Sequence, residues 1–154
     1  MLLDTLHNDV KYSRGISPVA AVTNNDAFVS QILDTANFAS AEFIFITGSI
    51  ADADATFTVL VEDGDDSGLS DAAAVNDEYL LGREAGTIAA GAQDGTGAAP
   101  GFADDNKVFK IGYTGPKRYV RVTITPADNT GNIFLAGIWA QANARKGPQS
   151  SQVV

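Results

Sequence analysis

From residue 19 onward the chain consists of short β-prone runs separated by turn residues. Strands of this length at such regular spacing are typical of an all-β sandwich or barrel. We therefore expect a mainly β fold, a single-domain antiparallel β-sandwich or jelly-roll-like barrel. The predicted strands are residues 27–34, 42–47, 55–62, 107–113, 118–125 and 133–142.

Two of these strands alternate apolar and polar side chains with a period of two. The alternation is clear over residues 55–62 and again over 118–125. Successive side chains of a strand point to opposite faces, so each of these strands should have one buried face. The residues expected in the core are Phe45, Phe57, Val59, Val120, Val122 and Ile124.

The remaining strands and turns predict how the chain is connected. The unbroken apolar run from Phe43 to Ile46 favours a central strand that is covered on both faces. Asp and Gly residues at 62–68 predict a chain reversal, because Asp side chains bond nearby backbone N–H groups and Gly accepts positive φ. A Thr-Gly-Pro-Lys turn between 107–113 and 118–125 predicts a hairpin.

The flanking regions divide the chain into an arm, a domain and a tail. Residues 1–15 predict an N-terminal arm, 16–142 the sandwich domain, and 143–154 a solvated tail. Within the domain, residues 85–106 are rich in Gly and Ala and predict a long loop insertion. The arm is expected to contact a partner through its apolar residues, with basic residues at the rim. These candidates are Leu2, Leu3, Leu6, Val10, Lys11, Tyr12 and Arg14.

Charge and composition narrow the classes of partner. The net charge of −9 repels phosphate backbones and anionic lipid headgroups, so we expect neither a nucleic-acid nor a membrane partner. The first residues lack the basic and then apolar pattern of a secretion signal. There is no cysteine, so stability has to come from core packing or from association.

The residues that carry chemistry are sparse, and we expect neither an enzyme nor a cofactor. His7 is the only histidine and lies in the predicted arm, so a Ser-His-Asp triad is not expected. The sequence does not exclude the paired carboxylates of a glycoside hydrolase, since such a pair is recognised by its distance in space and not by its spacing in sequence. Trp139 is expected in the core, in preference to a sugar-stacking platform.

The acidic turn offers the one candidate metal site. Asp63, Asp65 and Asp66 place three carboxylates within four residues and could supply oxygen ligands to Ca²⁺. The turn lacks the ordered ligand spacing and the distal Glu of a calcium loop. We therefore expect a plain β-turn that binds no metal tightly.

Three stretches resemble small proteins encoded among the head genes of tailed bacteriophages. The clearest is KIGYTGPKRYVRVTITP at residues 110–126, and ATFTVLVEDGDDS at 55–67 and YLLG at 79–82 follow the same order. The resemblance implies a β-sandwich virion protein that decorates, or cements, the outside of the capsid. It implies the major capsid protein as partner, a homo-oligomer with three copies as the first expectation, and synthesis in the host cytoplasm.

A second hypothesis also stays within binding proteins. A minor tail or fibre module, or a carbohydrate-binding β-sandwich that recognises a host surface, would use the long loop and exposed aromatic residues. Tyr79 and Phe102 are the aromatic candidates for that role.

Overall fold

The computed structural model describes residues 5–82 and 99–145, with side chains from residue 7 onward. No helix in these ranges is long and apolar enough to cross a membrane. The elements in chain order are α1 (Thr5–Asn8), β1 (Lys11–Ile16), β2 (Phe28–Val29), β3 (Leu33–Asp34), β4 (Phe38–Ile50), β5 (Thr56–Gly64), β6 (Ala73–Ala74), a 3-10 turn (Asp77–Tyr79), β7 (Leu80–Leu81), β8 (Val108–Tyr113), β9 (Tyr119–Ala127) and β10 (Ile133–Ala144).

The strands form two antiparallel sheets that share one apolar core. Sheet A has the order β1-β10-β4-β8-β7, with β4 in the middle. Sheet B has the order β2-β9-β5-β6, and β3 also pairs with β9. The expectation of a mainly β, antiparallel sandwich is confirmed.

The core lies between the inner faces of β4 and β10 on one side and those of β5 and β9 on the other. The alternation seen in the sequence places the apolar face of β5 and the apolar face of β9 inward, as predicted. All six residues expected in the core are buried: Phe45, Phe57, Val59, Val120, Val122 and Ile124.

β4 is central in its sheet, but it is covered on only one face, which corrects the prediction for residues 43–46. Phe43 and Phe45 point inward and are buried, whereas the Ile46 side chain is 51% exposed. The strand belongs to a two-layer sandwich, so its outer face has no second layer from the described residues above it. An apolar run therefore does not imply two covered faces here.

The segment between β8 and β9 crosses from one sheet to the other, so the predicted hairpin is wrong. β8 pairs with β4 and β7 in sheet A, and β9 pairs with β5 in sheet B. The Tyr113 ring at the end of β8 points into the sandwich, and the backbone N–H of Lys117 donates to its hydroxyl at 3.2 Å. The chain wraps around this ring instead of closing a two-strand turn.

The stretch expected to form one strand at 27–34 forms two short ones, because Ser30 interrupts the ladder. The Ser30 hydroxyl accepts a hydrogen bond from the backbone N–H of Val122 at 2.9 Å. The next residue, Gln31, donates its backbone N–H to the carbonyl of Gly15 in sheet A at 2.9 Å. This segment therefore links the two sheets at one edge of the sandwich.

Strands β1 and β10 extend into the ranges expected for the arm and the tail. Residues 11–14, at the end of the range expected for the arm, belong to β1 and pair with β10. β10 likewise continues to Ala144, two residues into the expected tail. Of the long loop, residues 99–106 are described, and Asp105 accepts a hydrogen bond from the backbone N–H of Ile50 at 2.8 Å. Residues 83–98 and 146–154 lie outside the described residues.

We predict that Val122→Asp prevents folding. The Val122 side chain is 0% exposed, and an unpaired carboxylate there costs several kcal/mol, comparable with a total domain stability of about 5–15 kcal/mol. The matched control is Thr123→Asp, one residue along β9 and on the other face. Circular dichroism and thermal melting measure the result, and a folded Val122→Asp protein would contradict the core assignment.

Candidate functional site

The outer face of sheet A is an exposed surface of mainly apolar side chains. Strand pairing sets Ile44 beside Ile138 and sets Ile46 between Ala136 and Val108. Val108 is 66% exposed and Ile46 is 51% exposed. We call this surface the A face and define it by Tyr12, Arg14, Glu42, Ile44, Ile46, Leu81, Val108, Lys110, Phe134, Ala136, Ile138 and Ala140.

Tyr12 separates two apolar grooves on this face. The groove on one side has a volume of about 470 Å³, and Ile16, Pro18, Ile46 and Ile138 are among the residues that line it. The other groove has a volume of about 370 Å³ and is lined by residues that include Val10, Leu81, Ala140 and Ala142. The alanines of β10 have short side chains and form the bottom of the grooves, so the larger neighbouring side chains project above them. The surface can therefore accept projecting groups from a partner.

Charged side chains are few on the A face. Its described charges are Arg14, Glu42 and Lys110, although the whole chain carries −9. The Lys110 ammonium lies 3.4 Å from the Glu42 carboxylate, and both side chains are exposed. An exposed pair of this kind contributes little to stability. The acidity of the protein therefore lies mostly away from this face.

The outer face of sheet B has a different chemistry. Its two long strands present threonines, such as Thr58 on β5 and Thr123 on β9. Arg121 and Glu62 face each other across these strands, with the guanidinium 2.8 Å from the carboxylate. The hydroxyl groups suit contact with water, and the ion pair between them is partly buried. The two faces of the sandwich are thus unequal: among the described residues most of the exposed large apolar side chains lie on the A face, and Val29 is the exposed one on sheet B.

The structure brings several of the predicted partner-contact residues to the A face. Tyr12 and Arg14 project from β1 onto it, and Val10 lines the second groove. The Lys11 ammonium lies 6.0 Å from the centre of the Phe38 ring. Leu2, Leu3 and the side chain of Leu6 lie outside the described residues. Sequence reasoning missed the rest of the face, for which the signal was the outward pair Ile44 and Ile46 in an unbroken apolar run.

The acidic turn is a hydrogen-bonded structure that holds the sheet crossover. The Tyr113 hydroxyl donates to Asp63 Oδ2 at 2.6 Å, and both side chains are buried. Burial raises the pKa of the Asp63 carboxyl, partly opposed by the Tyr113 hydrogen bond. Burial, together with the bonded carboxylate, raises the pKa of the Tyr113 hydroxyl. The Lys117 ammonium pairs with Asp65, which joins the turn to the crossover a second time.

The three candidate metal ligands in this turn are directed to different donors. Asp63 accepts from Tyr113, Asp65 pairs with Lys117, and Asp66 Oδ1 accepts the backbone N–H of Gly68 at 2.8 Å. Asp71 accepts the backbone N–H groups of Asp65 and of the residue after it. Among the described residues no group of three His, Cys, Asp or Glu side chains converges so that it could hold a metal ion. The hydrogen bonds and the ion pair that stabilise the chain reversal account for these carboxylates.

The aromatic candidates for sugar binding have separate environments. Trp139 is 1% exposed, and its indole N–H donates to the Gln31 carbonyl at 3.1 Å, so it belongs to the core as predicted. Tyr79 is partly buried and packs against that core. Phe102, at the described end of the long loop, is 45% exposed. His7 lies exposed on α1.

No family model matches the sequence, and no curated protein matches it at a significant level.

We predict that Tyr113→Phe lowers the free energy of unfolding at neutral pH. The variant should also lose less of its stability than the wild-type protein does when the pH is raised. Loss of the hydroxyl leaves the buried Asp63 carboxylate without this donor, which costs about 1–3 kcal/mol of unfolding free energy. The raised pKa of Tyr113 means that the folded state keeps its proton while the unfolded chain ionises near pH 10. The stability that this group contributes is therefore complete below about pH 10 and is lost as the pH rises further.

Thermal melts of the wild-type protein and the variant between about pH 7 and 11 measure both effects. Tyr119→Phe is the control, because Tyr119 lies on the outer side of β9. An equally steep alkaline fall in the Tyr113→Phe protein would contradict the role of this hydroxyl.

Proposed function

We propose that this chain is a structural assembly protein that decorates and stabilises the outside of a bacteriophage capsid. Its partners in this role are the major capsid protein and copies of itself. The single observation that carries the assembly role is the A face, an exposed apolar sheet surface on a chain that is otherwise strongly acidic. The capsid setting is supported by the resemblance of residues 55–67, 79–82 and 110–126 to head-gene proteins.

Burial of the A face supplies the energy for assembly. Apolar area removed from water contributes about 25 cal/mol per Å², and side chains such as Ile46, Val108 and Ile138 are between 42% and 66% exposed in the isolated chain. Exposed apolar patches of this kind mark interaction sites in soluble proteins. A rigid sandwich keeps these side chains in place before binding, so little conformational entropy is lost when they are covered.

Stabilisation of a capsid requires binding and no chemical step. A protein that binds the assembled shell and not its dissociated subunits stabilises the shell by mass action. The acidic remainder of the chain suits the outer surface, because it repels the packaged nucleic acid and remains hydrated. Phosphate-binding functions are correspondingly disfavoured.

The second candidate is a tail, fibre or carbohydrate-binding module. The observation in its favour is Phe102, which is exposed close to the Gly/Ala-rich part of the chain. Sugar-binding platforms use exposed aromatic rings, whereas Trp139 is buried and Tyr79 packs against the core. Of the two aromatic candidates, Tyr79 and Phe102, only Phe102 is exposed, and it supports this function less well than the extended A face supports assembly.

We predict that purified phage particles contain this protein in hundreds of copies and that its removal lowers the temperature at which heads release DNA. Heads that lack the protein are heated with and without the purified chain, and bound copies are counted by quantitative mass spectrometry. Added protein should restore the release temperature by several degrees, because binding to the shell adds to its stability.

Heads that already carry the protein are the control, and further addition should leave their release temperature unchanged. A count between a few and a few tens of copies per particle would instead support a tail or spike position and contradict the decoration role.

A further inference from the structure

The A face has no occupant among the described residues, and its area and charge indicate what kind of surface covers it. We propose that a second copy of this chain does so, and that two copies stack their A faces about a two-fold axis. The inference rests on the assembly role proposed above and names the contact between copies. A two-fold stack uses the same surface on both chains and therefore predicts an even number of copies, in place of the three expected from the resemblance.

The area of the face is just large enough for a specific contact between two copies. Strands β1, β10, β4, β8 and β7 lie side by side, and the four spacings of about 4.8 Å between them span about 19 Å. Along β10, the stretch from Phe134 to Ala142 covers about 27 Å at about 3.4 Å per residue. Two faces of about 500 Å² bury about 1,000 Å² when they meet, which reaches the lower bound for a specific interface.

The charge distribution favours this face for contact between copies. Each copy carries −9, so two copies repel each other wherever their acidic surfaces approach. The A face has two basic side chains, Arg14 and Lys110, and one acidic side chain, Glu42. Two copies therefore meet there with the least repulsion. This face carries both signs of charge, which a two-fold axis can set opposite each other. An extended apolar centre with a few mixed charges is also the composition of contacts within homodimers.

The shape of the face allows close stacking. Packed sheets lie about 10 Å apart, which requires side chains of both faces to interdigitate. The grooves on either side of Tyr12 have volumes of about 470 and 370 Å³ and are lined mainly by apolar residues. Side chains that stand above the floor, such as Ile46 and Phe134 of the opposite copy, have the size and polarity to fill them.

The test compares one substitution on each outer face of the sandwich. Ile46→Glu places a carboxylate on the A face, and Val29→Glu places the same charge on sheet B. The two wild-type side chains are equally exposed, at 51% and 52%, so folding should tolerate both changes alike. Sedimentation velocity over a concentration series measures association of the full chain, and thermal melts confirm that each variant is folded.

We expect the wild-type protein to form dimers and Ile46→Glu to raise the dimer dissociation constant at least about tenfold, while Val29→Glu leaves it within about twofold of wild type. An equal mixture of Ile46→Glu and Ile46→Lys chains should associate more tightly than either variant alone, because the stacked faces then carry opposite charges. Added salt should tighten the wild-type dimer, since it screens the repulsion between two copies of charge −9.

Three results would overturn the stacking. They are a monomeric wild-type protein, a trimer that is insensitive to Ile46→Glu, and a mixture that associates no better than its components. If the variant remains dimeric but no longer binds heads, the A face contacts the shell and the decoration role stands without the stacking. If stacking is confirmed but the wild-type protein is absent from particles, the proposed function fails and the self-association stands.

Discussion

The buried Phe43 ring of sheet A constrains which residues can lie beside it on β1 and β10. A Cβ atom on Gly15 would lie 2.5 Å from Phe43 Cε2, and one on Gly137 would lie 2.6 Å from Phe43 Cζ, so only glycine fits at both positions. The ring centre is 4.9 Å from that of Trp139, whose indole N–H donates to the Gln31 carbonyl at the edge of the sandwich. Phe43, Phe45 and Trp139 thus lie together on the inner side of the sheet.

The outer side of the sheet carries mainly aliphatic side chains, together with the exposed rings of Tyr12 and Phe134. Ile44 and Ile46 alternate with Phe43 and Phe45 along β4, so the strand is apolar on both faces although the sandwich covers only one. A central strand of this composition is stable in water only at the cost of exposed apolar area, or with a partner above it. The A face is therefore a property of the central strands themselves, and the assembly role and the stacking of two copies both depend on it.

The sequence predicted the two-sheet fold and the core, because alternation on β5 and β9 reports directly which side chains face inward. It missed β1, where residues such as Lys11, Ser13 and Gly15 give no apolar alternation at a sheet edge. The sequence predicted a hairpin after Tyr113 where the structure has a crossover. A Gly-Pro turn indicates that the chain reverses, but it does not indicate whether the next strand joins the same sheet. The apolar run in β4 was visible, but an outer face that meets a partner and one that meets a third layer have the same sequence signature.

Hydroxyl-radical footprinting tests the central claim, that the A face is covered in the assembled protein, most directly. Oxidation of individual side chains is compared between dilute isolated chains and the assembled state. We expect Ile46, Val108 and Ile138 to lose most of their reactivity on assembly, while Val29 on sheet B keeps its reactivity. Unchanged oxidation of these three residues, or protection confined to Val29, would contradict the central claim.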